Sequence, residues 1–513
     1  MAKQIKIPKQ PKPRKIIIST EFVINLARVK SYGEELFGKT VGDKFVREIR
    51  QKIAFLGKHP DANPKNRFLE STERKKTGLA CLIMVALLII SGITELKAQD
   101  WPQYLGPDRN STSSQKGLLK KWPASGPEVL WSIEVGKGYG GPVIKNGKVY
   151  LLDRDDEVGD FMRCFNLQNG EELWRYSYDS PGEFQYPGSR SVPVVDDNHV
   201  YSVGAYGELL CIDLQTRQPV WRKNIFKDFE GEKLPNWGIS QSPFIYENML
   251  IVSPQAPQAG VVAYDKLTGD VVWQTPKFSE GRTGDYVSPK VIKIHGEDHV
   301  VMTTSSSSPR TSNGKVTGIA PRTGEILWQI TGWECITSIP CPVDAGDNKL
   351  LIAGGYNLGS MMIQINKNPE GTFEIVELFK TVEFGDQTKP PLFYDGHFYA
   401  MYRTHSRRDG LVCMNSDGEI MWKTGLNPGF DRGSMILADG LILASDGMST
   451  LYLIEPDPTK FKPVSSIAIL KEGGAAIVDR AADSTQNWAP LALSDGKLLI
   501  RDQNRMFCLK VAE

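Results

Sequence analysis

The stretch AYDKLTGDVVW, residues 263–273, decides the fold. A short apolar strand runs into a polar turn, Gly269 relaxes the backbone there, and a second strand ends on Trp273. The same grammar returns in CFNLQNGEELW ending at Trp174, CIDLQTRQPVW at Trp221, GIAPRTGEILW at Trp328 and CMNSDGEIMW at Trp422. Gly170, Gly269, Gly324 and Gly418 each stand four residues before the tryptophan; Arg217 takes that place in the remaining copy. A unit of this size cannot bury both faces alone. Stacking on its neighbours solves the problem, so a fixed period near fifty residues signals a solenoid, an array or a propeller.

Proline supplies a second period. Pro142, Pro193, Pro243, Pro289, Pro342 and Pro391 are spaced by 51, 50, 46, 53 and 49 residues, and Pro490 follows after 99. The skipped copy falls at GSMILADGLILAS (433–445), which still reads as two strands and a turn. Proline donates nothing to a ladder and is confined to strand starts and edges. The innermost strand of a propeller blade offers such a place. Seven prolines and one degenerate copy predict an all-β, eight-bladed propeller over residues 99–513. The last repeat lacks a tryptophan strand, whereas EVLWSIEV (128–135, with Trp131) precedes the first repeat without a partner. Pairing the two would seal the ring and remove its exposed edges.

The tryptophan-terminated motif resembles the pyrroloquinoline-quinone (PQQ) repeat, close to AxDxxTGxxxW, and residues 263–273 match every defined position. The resemblance runs from about residue 101, where WPQYLGPDRN looks like the opening segment of many exported members. It implies that Trp131, Trp174, Trp221, Trp273, Trp328 and Trp422 dock against the neighbouring blade and are structural. It also raises the prospect of a quinoprotein dehydrogenase. Those enzymes add an adjacent cysteine pair, a calcium held by oxygen ligands and an aspartate base. Here the nearest cysteines in sequence, Cys335 and Cys341, are six apart, and no DxDxDG loop occurs. The expectation is therefore no catalytic residue, no metal and no cofactor, with PQQ and calcium as the alternative. In an oxidising compartment Cys335 and Cys341 could bridge. Cys164, Cys211, Cys413 and Cys508 share one repeat position with Ala263 and Gly318, as small core residues would. His295 and His299 flank a hairpin turn and read as solvated. The motifs GxSxG, HExxH and the P-loop do not occur.

Residues before the periodic prolines should approach the channel mouth. Arg190, Gln241, Asp285, Asp386, Lys389, Asp431, Arg432, Gln486, Asn487 and Trp488 are the binding candidates. Their acids, bases, amides and one tryptophan suit a polar small ligand or a peptide.

The net charge of +1 hides two opposed parts. Residues 1–77 hold 19 basic and 8 acidic side chains, and the remainder holds 42 and 52. Within 1–77, Phe22, Leu26, Val29 and Leu36 share one helical face; Val41, Phe45, Ile49, Ile53 and Leu56 share another. The segment IIISTEFVINLARVKSYGEELFGKTVGDKFVREIRQKIAFLGKHPDANP resembles the first half of a RelE/ParE-type toxin, without the later strands. A chimeric or mis-started frame is the competing explanation. GLACLIMVALLIISGI (78–93) follows Arg74, Lys75 and Lys76 and reads as a secretory signal within 78–98, cleaved near Ala98, or as an anchor if uncleaved. The expected protein is a monomeric, exported, periplasmic or envelope-associated bacterial propeller of the BamB-like kind. Its expected partner is an envelope protein or a small polar ligand, and no nucleic acid. The alternatives are a PQQ-dependent oxidoreductase and a carbohydrate or small-ligand sensor.

Overall fold

A computed structural model describes residues 99–281, 285–308, 310–404, 406–470 and 486–513. The helical extension and the signal or anchor expected before residue 99 lie outside these residues. Eight sheets follow one another, seven antiparallel ones of four strands and one of five whose added strand is parallel. We number them blades 1 to 8 in the order in which their innermost strands occur: Val143–Lys145, Val194–Val195, Phe244–Tyr246, Lys290–Ile294, Val343–Asp344, Leu392–Tyr394, Ser434–Ala438 and Ala492–Ser494. The protein is an all-β, eight-bladed propeller.

Each periodic proline stands one or two residues before an innermost strand. That is where the missing N–H costs no ladder bond. Blade 7, the degenerate copy, starts on Ser434 instead. Successive second strands are almost wholly apolar and buried, as in LILAS (441–445) and KLLIR (497–501). They carry the cores that fill the spaces between blades.

The ring closes with a strand from the other end of the described chain. Glu128–Glu134 pairs antiparallel with Arg505–Lys510 and becomes the outer strand of blade 8. Upstream of it, residues 101–113 cross the bottom of the channel. Trp101 bridges Ile144 of blade 1, the Val195 N–H of blade 2 donates to the Pro102 carbonyl, and Thr112–Ser113 pairs parallel with Leu437–Ala438 of blade 7. Arg109 donates to the Ser242 and Pro243 carbonyls of blade 3 at 3.2 and 3.1 Å. The WPQYLGPDRN segment is thus a floor.

The outer tryptophans repeat one geometry. Trp131, Trp174, Trp221, Trp273, Trp328 and Trp422 each lie opposite a small residue across the ladder: Cys508, Cys164, Cys211, Ala263, Gly318 and Cys413. A Cβ on Gly318 would lie 2.1 Å from the Trp328 ring, which explains why this repeat position is small. Four indoles donate to a carbonyl in the next blade's turn: Trp131 to Leu167, Trp221 to Lys266, Trp273 to Pro321 and Trp422 to Asp457, at 2.9–3.1 Å. Trp174 faces the turn that carries Arg217 instead of glycine; it is half-buried and, among the described residues, makes no such bond. Trp328 turns back to His299 of its own blade and donates to Nδ1 at 3.0 Å. In blade 5 the place of the tryptophan is taken by Phe379, whose ring lies against Gly418.

Two expectations are corrected here. His299 is fully buried, not solvated, because it accepts the Trp328 N–H; only His295 sits at the hairpin tip. Cys335 and Cys341 are both free thiols, buried in different core clusters. The Cys335 thiol donates to the Thr337 carbonyl.

Candidate functional site

The channel is a cup. Its floor includes Tyr104 from the crossing segment, and its wall includes Ser242, Ser288 and Pro490, just before or at the starts of inner strands. Its cavity volume is about 140 Å³. Five aromatic side chains form the rim in a connected chain. The Tyr139 and Trp488 centroids are 5.5 Å apart, Trp488 and Tyr186 6.1 Å, and Tyr186 and Trp237 5.7 Å. Trp237 then stacks on Tyr286 at 5.1 Å with an interplanar angle of 30°. Such contacts hold large flat surfaces in place while leaving faces available.

Two cations line the cup, Arg190 and Lys389. Arg190 stacks on Phe184 at 4.5 Å and donates to the Gly188 and Tyr186 carbonyls. Burial pulls its guanidinium down to about 10. Burial likewise pulls the Lys389 ammonium down to about 8, against the opposing pull of Asp386. Neither is in an ion pair with a carboxylate among the described residues.

The ten residues expected at the mouth divide. Arg190, Lys389 and Trp488 line the cup. Gln486 stands just behind, accepting the Tyr139 hydroxyl at 2.6 Å. Asp431 accepts the Trp488 indole N–H at 3.2 Å, and Arg432 covers the other side of that ring at 4.7 Å. Asn487 donates to the Met448 carbonyl. Gln241, Asp285 and Asp386 turn into the blades. Gln241 pairs with the Ser253 backbone. Asp285 accepts from Ser279 and the Ser305 N–H. Asp386 accepts the N–H groups of Thr388, Lys389 and Met401, and burial lifts its carboxyl to about 6. Tyr139, Tyr186, Trp237 and Tyr286 were not among the expected residues; Tyr139 and Tyr286 stand three residues before Pro142 and Pro289, the place that Arg190 holds before Pro193, so the proline period marks them, whereas Tyr186 and Trp237 sit farther back in inter-blade loops where no period does.

A quinone–calcium pair would need free oxygen ligands from this donor set. Each carboxylate near the cup, Asp285, Asp386 and Asp431, already accepts protein donors. No group of three His, Cys, Asp or Glu side chains converges among the described residues. These residues do not fit a hard cation that needs six to eight oxygens.

The fold and its tryptophan-closed turns are similar to those of PQQ-repeat propellers. Residues 159–334 match the family model described as outer membrane protein assembly factor BamB. Outer membrane protein assembly factor BamB of Shewanella oneidensis is 22% identical over 339 residues, covering 61% of this chain and 76% of that protein. Quinoprotein alcohol dehydrogenase PedH of Pseudomonas putida is 24% identical over 175 residues, covering 33% of this chain and only 27% of the dehydrogenase. Among solved structures, BamB from Moraxella catarrhalis aligns with a TM-score of 0.50 at 13% identity, over 75% of this chain and 99% of that one. A europium-containing methanol dehydrogenase aligns with 0.56 at 12% identity, over 78% and 89%. At such identities the structural likenesses speak for the fold, which hosts more than one function.

Proposed function

We propose that this propeller is an exported, non-enzymatic platform of the bacterial envelope, and that a partner protein docks at the aromatic mouth of the cup. One observation carries the reading: among the described residues the mouth offers flat aromatic faces and cations outside any ion pair, while the nearby carboxylates Asp285, Asp386 and Asp431 are committed to protein donors. Trp, Tyr and Arg are the residue types that concentrate binding energy at interfaces. The match to BamB over most of that protein's length supports a platform role. The shorter match to PedH keeps a PQQ-dependent oxidoreductase as the reading to be beaten.

Two measurements decide between them. Photo-crosslinkers placed at 186 and 237 in the native host should each give one discrete adduct with an envelope protein. The purified chain, mixed with PQQ and calcium, should give neither a stoichiometric quinone absorbance nor dye reduction with alcohols or sugars. Stoichiometric quinone with turnover would replace the platform by a dehydrogenase. Amino-terminal sequencing of the mature protein should begin near Gln99; a full-length cytosolic chain would remove the export part of the proposal.

A further inference from the structure

The charged groups that face the cup are donors alone, and two hydroxyls of its wall have a proton to give. Arg190 and Lys389 have no acceptor capacity at all. Ser242 and Ser288 are already used as acceptors by the wall. The Val192 N–H donates to Ser242 Oγ at 3.0 Å, and the Ser242 N–H donates to Ser288 Oγ at 2.8 Å. A hydroxyl that accepts in this way keeps its own proton to give. Among the described residues no Asp or Glu lines the cavity. Burial has lowered both cations despite the pull of Asp386 on Lys389 and of Asp156 and Asp160 on Arg190, and among the described residues neither cation is in an ion pair. A site of this composition is electrostatically incomplete, and an anion completes it through charge-assisted hydrogen bonds.

The dimensions narrow the class. A space near 150 Å³ holds one benzene-sized ring, and the cup offers about 140 Å³. Its walls, Tyr139, Tyr186 and Trp488, present ring faces and edges, which suit a flat body. Tyr104 and the segment behind it close the far end, so one small molecule enters from the mouth and stops.

We propose that the cup binds a small, single-ring organic carboxylate without a metal ion, its anion held by Arg190 and Lys389 and its ring against Tyr139, Tyr186 and Trp488. This site shares Tyr139, Tyr186, Trp488 and the two cations with the mouth assigned to the partner, and its occupancy does not require that partner.

The test uses the purified full chain, titrated with benzoate, benzyl alcohol, benzylamine and acetate by calorimetry and by tryptophan fluorescence. Benzoate should saturate at one per chain and bind at least about tenfold tighter than the neutral alcohol or the ringless acetate, the usual advantage of a charge-assisted contact. Benzylamine should not compete. K389Q should weaken benzoate by about tenfold or more at an unchanged melting temperature. R190K, which keeps the charge but loses the planar fork, should fall between wild type and R190Q. Equal affinity for benzoate and benzyl alcohol overturns the proposal. So does full benzoate affinity in K389Q, or no saturable binding of any probe. Stoichiometric PQQ that displaces benzoate only when calcium is present overturns it in favour of a quinone site. Because no partner protein is present, these outcomes leave the crosslinking result to stand or fall separately.

Discussion

The indole of Trp273 lies on Gly324 of the next blade and donates to the Pro321 carbonyl at 3.0 Å. Gly324 has φ +76°, and a Cβ there would come within 2.5 Å of the ring. The glycine therefore serves two ends, a left-handed turn and a bare surface for the neighbour's tryptophan. Trp221 on Gly269 and Trp131 on Gly170 repeat it. A blade's turn is thus written for the ring of the blade before it.

Trp273→Ala should cost about 3–5 kcal/mol, the range for a buried aromatic. Gly324→Ala should cost about 1–2 kcal/mol from the left-handed backbone alone, and more from the lost space. Trp174→Ala should cost clearly less than Trp273→Ala, since its neighbour offers Arg217. Chemical denaturation midpoints check the order. Equal losses for Trp174 and Trp273 would show that the glycine seat is irrelevant.

Closure by residues 128–134 leads to a second expectation. Removing residues 99–135 takes away the outer strand of blade 8, the floor and the extra strand on blade 7. The bare edge of Arg505–Lys510 should recruit other chains. Light scattering should report aggregates; a soluble monomer with an unchanged melting temperature would contradict the seam.

The Trp328–His299 pair sets a pH dependence. Burial holds the His299 imidazole down to about 4, against 6.5 when free. Between these values the unfolded chain binds a proton that the folded one refuses. Stability should therefore fall as the pH drops from about 6.5 towards about 4, by up to one proton's worth of slope. His299→Asn, which keeps an acceptor for the indole, should flatten that part of the profile. An unchanged slope in the variant, measured by urea unfolding across this range, would show that His299 titrates normally.

Six thiols are described, all buried. Burial pushes Cys164, Cys211 and Cys508 up to about 12 and Cys335 and Cys413 up to about 11. Thiolate is the reactive form, so these cysteines should react with Ellman's reagent only as the protein unfolds. Rapid native labelling at any of these six positions would show a blade opening.

Much of this was legible in sequence because blades repeat. The tryptophans, the small residues opposite them and the prolines recur at a period, and the orphan EVLWSIEV had one repeat that lacked a strand. The cup was only partly legible. Position before a proline predicts proximity to the channel but not the direction of a side chain. Gln241, Asp285 and Asp386 are close to the channel in sequence terms and point into their blades, where backbone N–H groups capture them. Part of the aromatic rim carried the proline mark, since Tyr139, Tyr286 and Trp488 stand two or three residues before Pro142, Pro289 and Pro490, while Tyr186 and Trp237 belong to loops that differ from blade to blade. Phe379 escaped because it does the work of a tryptophan without being one.

The floor and the seam have a consequence for the order of folding. Thr112 pairs with Leu437, and Trp131 with Cys508, across most of the described chain. Contacts so distant in sequence form late, because the loop between them must be closed first. A chain emerging from its amino-terminal side builds blade upon blade as an open arc. Its floor lacks one anchor until blade 7 arrives, and strand 128–134 waits unpaired until residues 505–510 follow it. The propeller therefore becomes a ring in a single terminal step, and any fragment that ends before residue 505 keeps that waiting strand exposed.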